Sequence, residues 1–399
     1  MKKTMVWIAT GITLSLIWGT SWGGSIFSMG EMGVLDEGLG AKARAMGGPA
    51  IALVTGDHFG RGNPALLGDF TKVGIHLTFA GEQWRVEDEA GLKGDFASER
   101  VRTFQFGVPV GYGTALSFGF FPYSEVQFDL ADSDSINGLV YDRHIQGSGG
   151  LRSISLEAGK RFGDRLLWGL SAHRIFGTIR ETYLRDFGDA SLEDTRDVWG
   201  RSHAGWQFTT GVVYEISKHW SIAGAYAAQA TIDRTTTLET NFGAIQEQRT
   251  DEIELPASLA FGIAGTGAPK LLVHADVKIA FFEDLSGHEN ARNTLDLSMG
   301  MESLPARDLT APYYRRIPLR LGFRWRQLPN QTGPNEKGVD EVLMGCGFGL
   351  PLAEQRGMLD VSFEVGKRGI LSENGAEEVF YRQTFSFSGW EKWFERKGK

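Results

Sequence analysis

Between Arg315 and Leu328 the chain reads RRIPLRLGFRWRQL, which sets Arg316, Arg320, Arg324 and Arg326 among Ile317, Leu319, Leu321, Phe323 and Trp325. A guanidinium is a permanent cation with a planar fork of donors, suited to a carboxylate of a ligand or of the protein itself. In an extended chain successive side chains point to opposite faces. From Ile317 onward one face of this segment is therefore apolar and the other cationic. The same parity puts His274, Asp276, Lys278, Glu157 and Glu364 on the polar faces of other alternating segments. A soluble sheet turns its polar face to bulk water. A membrane barrel turns it to an enclosed lumen and gives its apolar face to lipid. This segment alone fits both.

Other chemistry finds little support. His76, His144, His173, His203 and His274 form no H-x-x-x-H or similar metal pair, and there is no G-x-S-x-G elbow. Some barrel enzymes modify lipids with a serine and a histidine on the wall. A pair such as Ser155 and His173 would have to meet within hydrogen-bond reach to do so. We expect no catalytic residue, no metal site and no cofactor.

The ends and the composition narrow the class. Residues 1–23 start with Lys2 and Lys3 and continue through an apolar run, Met5 to Trp18, too short to span a bilayer comfortably. Ser21 and Gly23 offer a small-x-small cleavage site, so a signal peptide over 1–23 is expected. Cys346 is the single cysteine, which excludes an internal disulfide. The net charge is −8, and −10 once Lys2 and Lys3 are removed, which argues against nucleic acid as a partner. Glycine is abundant, at 53 residues. That suits a chain with many turns.

Alternating segments then recur from Thr71 to the end. Val73, Ile75, Leu77 and Phe79 share a face, as do Leu116, Phe118 and Phe120, or Trp206, Phe208, Val212 and Tyr214. About fourteen such segments have the length of a tilted membrane strand. Short connections such as Gly111-Tyr112-Gly113 and Phe162-Gly163-Asp164 alternate with long polar stretches such as Arg85 to Glu99, Gln127 to Gly147 and Arg180 to Ser202. Only the link from Pro305 to Tyr314 is too long for the pattern. Short turns at one end and long loops at the other describe an up-and-down barrel of an outer membrane. Closure also removes the edges that so many strands would expose. The expected fold is all-β, a transmembrane antiparallel barrel over 71–390. Trp84, Trp168, Trp206, Trp220 and Trp325 are candidates for its aromatic girdles, and 391–399 forms a periplasmic tail.

Residues 24–70 lack the alternation and are rich in small residues, with Gly47-Gly48-Pro49 and Asn63-Pro64-Ala65 as turn chemistry. So apolar a segment fits inside a lumen, which about fourteen strands leave wide enough. Here the runs ARAMGG and GNPALL resemble the N-terminal hatch of the FadL-like (FadL/TodX) outer-membrane transporters of hydrophobic compounds. FPYSEV, ELPASLAFGIA, GFGLPLAEQRGMLDVSFEVGKRG and WEKWFERK look like the same family, in the same order over nearly the whole chain. The resemblance implies a hatch that includes Gly47, Gly48, Asn63, Pro64 and Ala65.

In SFGFFPYSEV, Pro122 cannot donate a ladder hydrogen bond and Gly119 weakens pairing nearby. At membrane depth a proline would force a bulge or a gap between strands; above the membrane it would merely end one. The resemblance implies a use for such a kink: a lateral gate at Gly119, Phe120, Phe121 and Pro122. It implies passive inward transport of long-chain fatty acids or similar molecules by a monomer surrounded by outer-membrane lipid. His274, Lys278, Arg320, Arg324 and Glu364 would face the lumen. There they would meet a ligand, or brace the barrel and anchor the hatch as a network of opposite charges. A barrel platform for protein secretion, as in the related PorV-like components of type IX secretion, is the main alternative. A water-filled porin is another.

Overall fold

A computed structural model describes residues 24–391, except 31, 57–58, 90, 92, 137–138, 189–191, 242, 269, 289, 307, 333–336 and 353–355. The expected signal peptide, nearly all of the expected tail and His58 lie outside the described residues.

A two-residue strand, β1 (Val34–Leu35), precedes the wall. The wall starts with β2 (Val73–Asp88), β3 (Lys93–Gly111), β4 (Thr114–Pro122), β5 (Ser124–Ile136), β6 (Leu139–Phe162), β7 (Leu166–Asp186) and β8 (Thr195–Glu215). It continues through β9 (Trp220–Ala227), β10 (Ala230–Thr240), β11 (Gly243–Leu255), β12 (Ala257–Ala268), β13 (Leu271–Phe281) and β14 (Thr294–Ser303). Its last members are β15 (Leu319–Thr332), β16 (Lys337–Leu352), β17 (Gly357–Arg368) and β18 (Ala376–Glu391). Every wall pairing is antiparallel between neighbours, and β18 pairs β2 from Ala376↔Asp88 to Glu391↔Val73, which closes the cylinder. Three wall strands are broken once each, at Tyr123, at Ala228–Gln229 and at Pro256, so β4–β5, β9–β10 and β11–β12 each count as one crossing. That makes a fourteen-stranded barrel.

The wall is inverted relative to a soluble protein. In β15, Leu319 and Leu321 are 60% and 56% exposed, while Arg320 and Arg324 are buried. Leu116, Phe118, Leu156, Trp168, Trp206, Phe208, Met344 and Phe363 add to the exposed apolar surface. Ser117, Ser155, Glu157, Ser298, Ser362 and Ser386 are buried on the other face. An apolar band outside and a polar interior are what lipid selects.

Two expectations need correction. The long polar stretches are not open loops. β2 and β3 stay paired out to Glu87↔Lys93, and β5 and β6 out to Ile136↔Leu139. Their outward side chains are mostly polar, so no lipid-facing apolar period marks them, while the inward face still carries Trp84, Val86, Val126 and Phe128. The ladders are instead laced by cross-strand ion pairs such as Arg85–Asp95 (2.9 Å), Arg234–Asp251 (2.6 Å) and Arg185–Asp197 (3.0 Å). Trp84 is the second correction. It is buried against Leu343 and Phe380 inside the barrel, because the outward residues of β2 are odd-numbered up to Phe79 and beyond. Arg316, for its part, lies in a 3-10 turn (Tyr313–Arg316) before the strand, its guanidinium over the Tyr313 ring. The long link from Leu304 to Pro318 sits at the short-turn end, the periplasmic end of an outer-membrane barrel.

The described residues of 24–72 fill the lumen. Ser25 and Ile26 bind Glu378 at the hairpin end of β18. Helix α1 (Ala41–Ala45) lies against β15 to β18, Ala52 accepts from Ser221 of β9, and a 3-10 turn (Pro64–Asp69) rests on β6, β7 and β8. A segment that touches so many sides of a closed wall can only be inside it.

Candidate functional site

The plug is seated on glycines of the inner wall. A Cβ on Gly322 would lie 2.1 Å from the backbone of Met46 and Gly47, and one on Gly300 2.1 Å from Met46 O. Farther down, Gly159 and Gly169 receive Pro64, and Gly211 faces the Asn63 amide oxygen. Gly47 itself takes φ +80°, a region open to glycine at little cost. Gly48 abuts the Ser298 hydroxyl. Asn63 caps the turn by accepting from Ala65 N (3.1 Å) and donates to Ile51 O (2.9 Å). The five hatch residues expected from sequence thus occupy two landing places. The wall glycines opposite them went unnoticed, although their inward parity beside Arg320 and Arg324, or beside Glu157, was readable.

Ions lock the plug. Asp36, Glu37 and Asp69 are its acids among the described residues, Asp69 meeting Arg161 of the wall (2.6 Å). Asp36 meets Arg44 (3.4 Å) and Arg102, and Glu37 meets Lys278 (2.8 Å) and Arg324 (2.7 Å). The bases run the other way: Arg44 reaches Glu364 (3.4 Å) and Lys42 reaches Glu302 (3.7 Å). Burial pushes the Asp36 carboxyl up, but Arg102, Arg44 and Arg382 more than offset this and hold it well below the usual range. Glu37 is likewise held low against its burial by Arg324 and Lys278. Of the five lumen residues expected to face a ligand, Lys278, Arg324 and Glu364 pair with the plug, and the His274 ring bonds Met46 O (2.9 Å). Arg320 bridges Glu302 and Asp360 of the wall, 2.6 Å from each.

The break at Tyr123 changes the wall. β3 pairs β4 only up to Phe104↔Phe120, and among the described residues no ladder joins β3 to β5. Pro122 faces Arg152 of β6 and Val126 faces Gly149, so four steps on one strand oppose three on the other: a bulge. The edge of β5 left free by β3 is taken by the plug. Val34 and Leu35 pair Glu125 and Ser124, and Asp36 N donates to Tyr123 O (2.9 Å). Gly33, at φ +73°, comes so close that a Cβ would sit 2.2 Å from Glu125 O. A second bulge, between Thr78 and Phe79 opposite Val101–Thr103, turns both Arg102 and Thr103 inward. Arg100 and Arg102 then span from β3 to Glu125, and Thr103 donates to Gly38 O (2.9 Å). Side chains and a borrowed strand hold together what backbone pairing does not. Gly119 and Phe121 lie on the inner side, with the Phe121 ring folded over Gly119, fully buried under the Arg61 guanidinium at 4.0 Å. Phe120 is on the opposite face, opposite Phe104 and Ile154. Arg100, Arg102 and Glu125 gave no sequence signal, because a bulge overrides parity.

Between plug and wall lies a cavity of about 170 Å³, bordered by Tyr123 at the break and by Leu39, Ile51, Pro256, Asp276 and Lys278. Two smaller spaces, about 60 and 80 Å³, flank Arg44 and Phe121.

A closed barrel with a greasy exterior, a polar lumen and an N-terminal plug defines an outer-membrane β-barrel of the FadL-like fold. The solved toluene transporter TbuX of Ralstonia pickettii is similar at a TM-score of 0.62 and 16% identity, over 89% of this chain and 98% of that one. The P. putida toluene transporter TodX gives 0.62 and 15%, over 89% and 99%. A FadL homologue of Pseudomonas aeruginosa gives 0.55 and 14%, over 90% and 98%. No curated protein matches in sequence. The profile of one family, BamG, matches residues 1–398, and the chain belongs to the BamG family.

Proposed function

We propose that the protein is a passive conduit for small hydrophobic molecules across the outer membrane, with a lateral exit at the break in its third crossing. It acts as a monomer, its apolar band in contact with outer-membrane lipid, and performs no catalysis. The observation that carries this reading is the edge of β5, which pairs with two plug residues instead of β3. Withdrawal of Val34, Leu35 and Asp36 would open a path from the cavity past Tyr123 to lipid. Gly119, Phe121 and Pro122 would line it. A space of about 170 Å³ is close to the engineered apolar cavities of about 150 Å³ that hold one benzene. That size favours ring-sized or short-chain molecules over a long fatty acid bound whole.

The test is a lock. Val34 and Glu125 are direct partners across the ladder, a separation a disulfide can bridge. Oxidised Val34→Cys/Glu125→Cys protein, still heat-modifiable, is expected to admit toluene into proteoliposomes no faster than empty vesicles, and reduction should restore uptake. Equal uptake in both redox states removes the gate.

A second reading, a barrel platform for protein secretion, draws on the number of plug ion pairs, which favour a fixed plug. A partner that co-purifies with a protein inert toward toluene would support it.

A further inference from the structure

Two lumen arginines, Arg320 and Arg324, are each paired to two carboxylates, whereas the Asp276 carboxylate has no hydrogen-bond donor. Arg320 holds Glu302 and Asp360, and Arg324 holds Glu37 and Asp296. Asp276, on the inner face of β13, is 9% exposed and borders the 170 Å³ cavity, yet neither of its oxygens has a hydrogen-bond donor. Lys278, two residues on, is committed to Glu37. His274 Nδ1 lies 3.3 Å from Asp276 Oδ2. The same ring gives its Nε2 hydrogen to Met46 O (2.9 Å), so in the neutral ring Nδ1 is another acceptor. It too has no partner. With the ring neutral, three buried acceptors converge without a donor. A buried carboxylate left this way is costly unless a positive donor joins it.

Two other charged groups of the cavity have contacts of their own within the protein. Arg61 donates to Glu37 O (2.6 Å) and stacks on Phe121, and Glu157 accepts from Ser155 and Gln105. One carboxylate and one imidazole are too few ligands for calcium or magnesium, which need six or more oxygens. The surrounding wall offers Leu39, Pro49, Ile51 and Ala260 as apolar surface.

Resting on the conduit reading, we propose that the cavity takes a small organic cation: an apolar body of about one ring carrying a protonated amine that donates to Asp276. The charge of the preferred ligand is thus opposite to that of a fatty acid. A charge-assisted bond to the buried carboxylate gives the amine its advantage over a neutral hydrocarbon of equal size.

The probes are benzylammonium, toluene and benzoate, titrated by calorimetry at pH 7 into the full-length protein in detergent. We expect benzylammonium to bind at least tenfold more tightly than either of the others. Asp276→Asn, of nearly equal shape, should abolish that preference. Should the variant fail to fold, the order of the three probes on the wild type still decides. A preference for benzoate, or a benzylammonium affinity unmoved by Asp276→Asn, overturns the assignment. Uptake of toluene without any preference for the amine defeats this inference alone; no binding by any probe, with no uptake of toluene, defeats it together with the conduit.

Discussion

Arg102 serves three carboxylates at once, Asp36 of the plug, Glu82 of β2 and Glu125 of β5, while almost fully buried. Removing one partner of a buried pair leaves uncompensated charge, which costs about 3–5 kcal/mol. Arg102→Ala should lower the midpoint of heat-modifiability and strip hydrogen-exchange protection from Val34 and Leu35 first. Unchanged protection there would refute the clasp. Acid should act differently. Because Asp36 and Glu37 titrate lower in the folded protein than in an unfolded chain, their contribution is complete above the ordinary carboxylate range, near 4. It is lost only as pH falls through the lower folded values. Protection of residues 34–37 should therefore be equal at pH 7 and pH 5. The alternation of Arg320 and Arg324 with leucines made their inward aim readable. The inward turn of Arg102 was not, because an extra residue in a strand resets the two-residue period and leaves no compositional trace.

At the scale of elements, plug and wall meet backbone to backbone. Gly322→Leu would drive a side chain into Met46 and Gly47, atoms that cannot swing aside. Overpacking of this kind costs about 1–3 kcal/mol where a core can adjust. We expect local loss of exchange protection over residues 44–48 with the barrel still closed. Full protection would mean that the plug is held elsewhere. The strands themselves were legible wherever lipid imposes alternation. Where β2–β3 and β5–β6 leave the apolar band, the outward face becomes mostly polar and the sequence reads as loop, although the ladders continue through ion pairs such as Arg85–Asp95. Pro122 was legible for a different reason: a missing donor in a closed wall must appear as a defect, and it appears beside Tyr123.

The whole molecule predicts which tryptophans touch acyl chains. Trp168 and Trp206 are about half exposed on the outer face, whereas Trp84 is packed inside. Brominated lipids should quench variants that retain only Trp168 or only Trp206 and spare one that retains only Trp84. Quenching of Trp84 would place the wall inside out.

The first described residues of the chain are bound by nearly the last. Ser25 is held by Glu378, and Ala41 by Ser386, each about 350 positions away, and the seam between β18 and β2 shuts the cylinder around them. A peptide cannot easily be threaded into a tube whose walls it must touch on every side. The sheet must instead curl about a leader that already waits in place, and the final strand both completes the hoop and clamps what the hoop contains. Biogenesis of this barrel is thereby a wrapping rather than a filling, with its final hairpin as the lid.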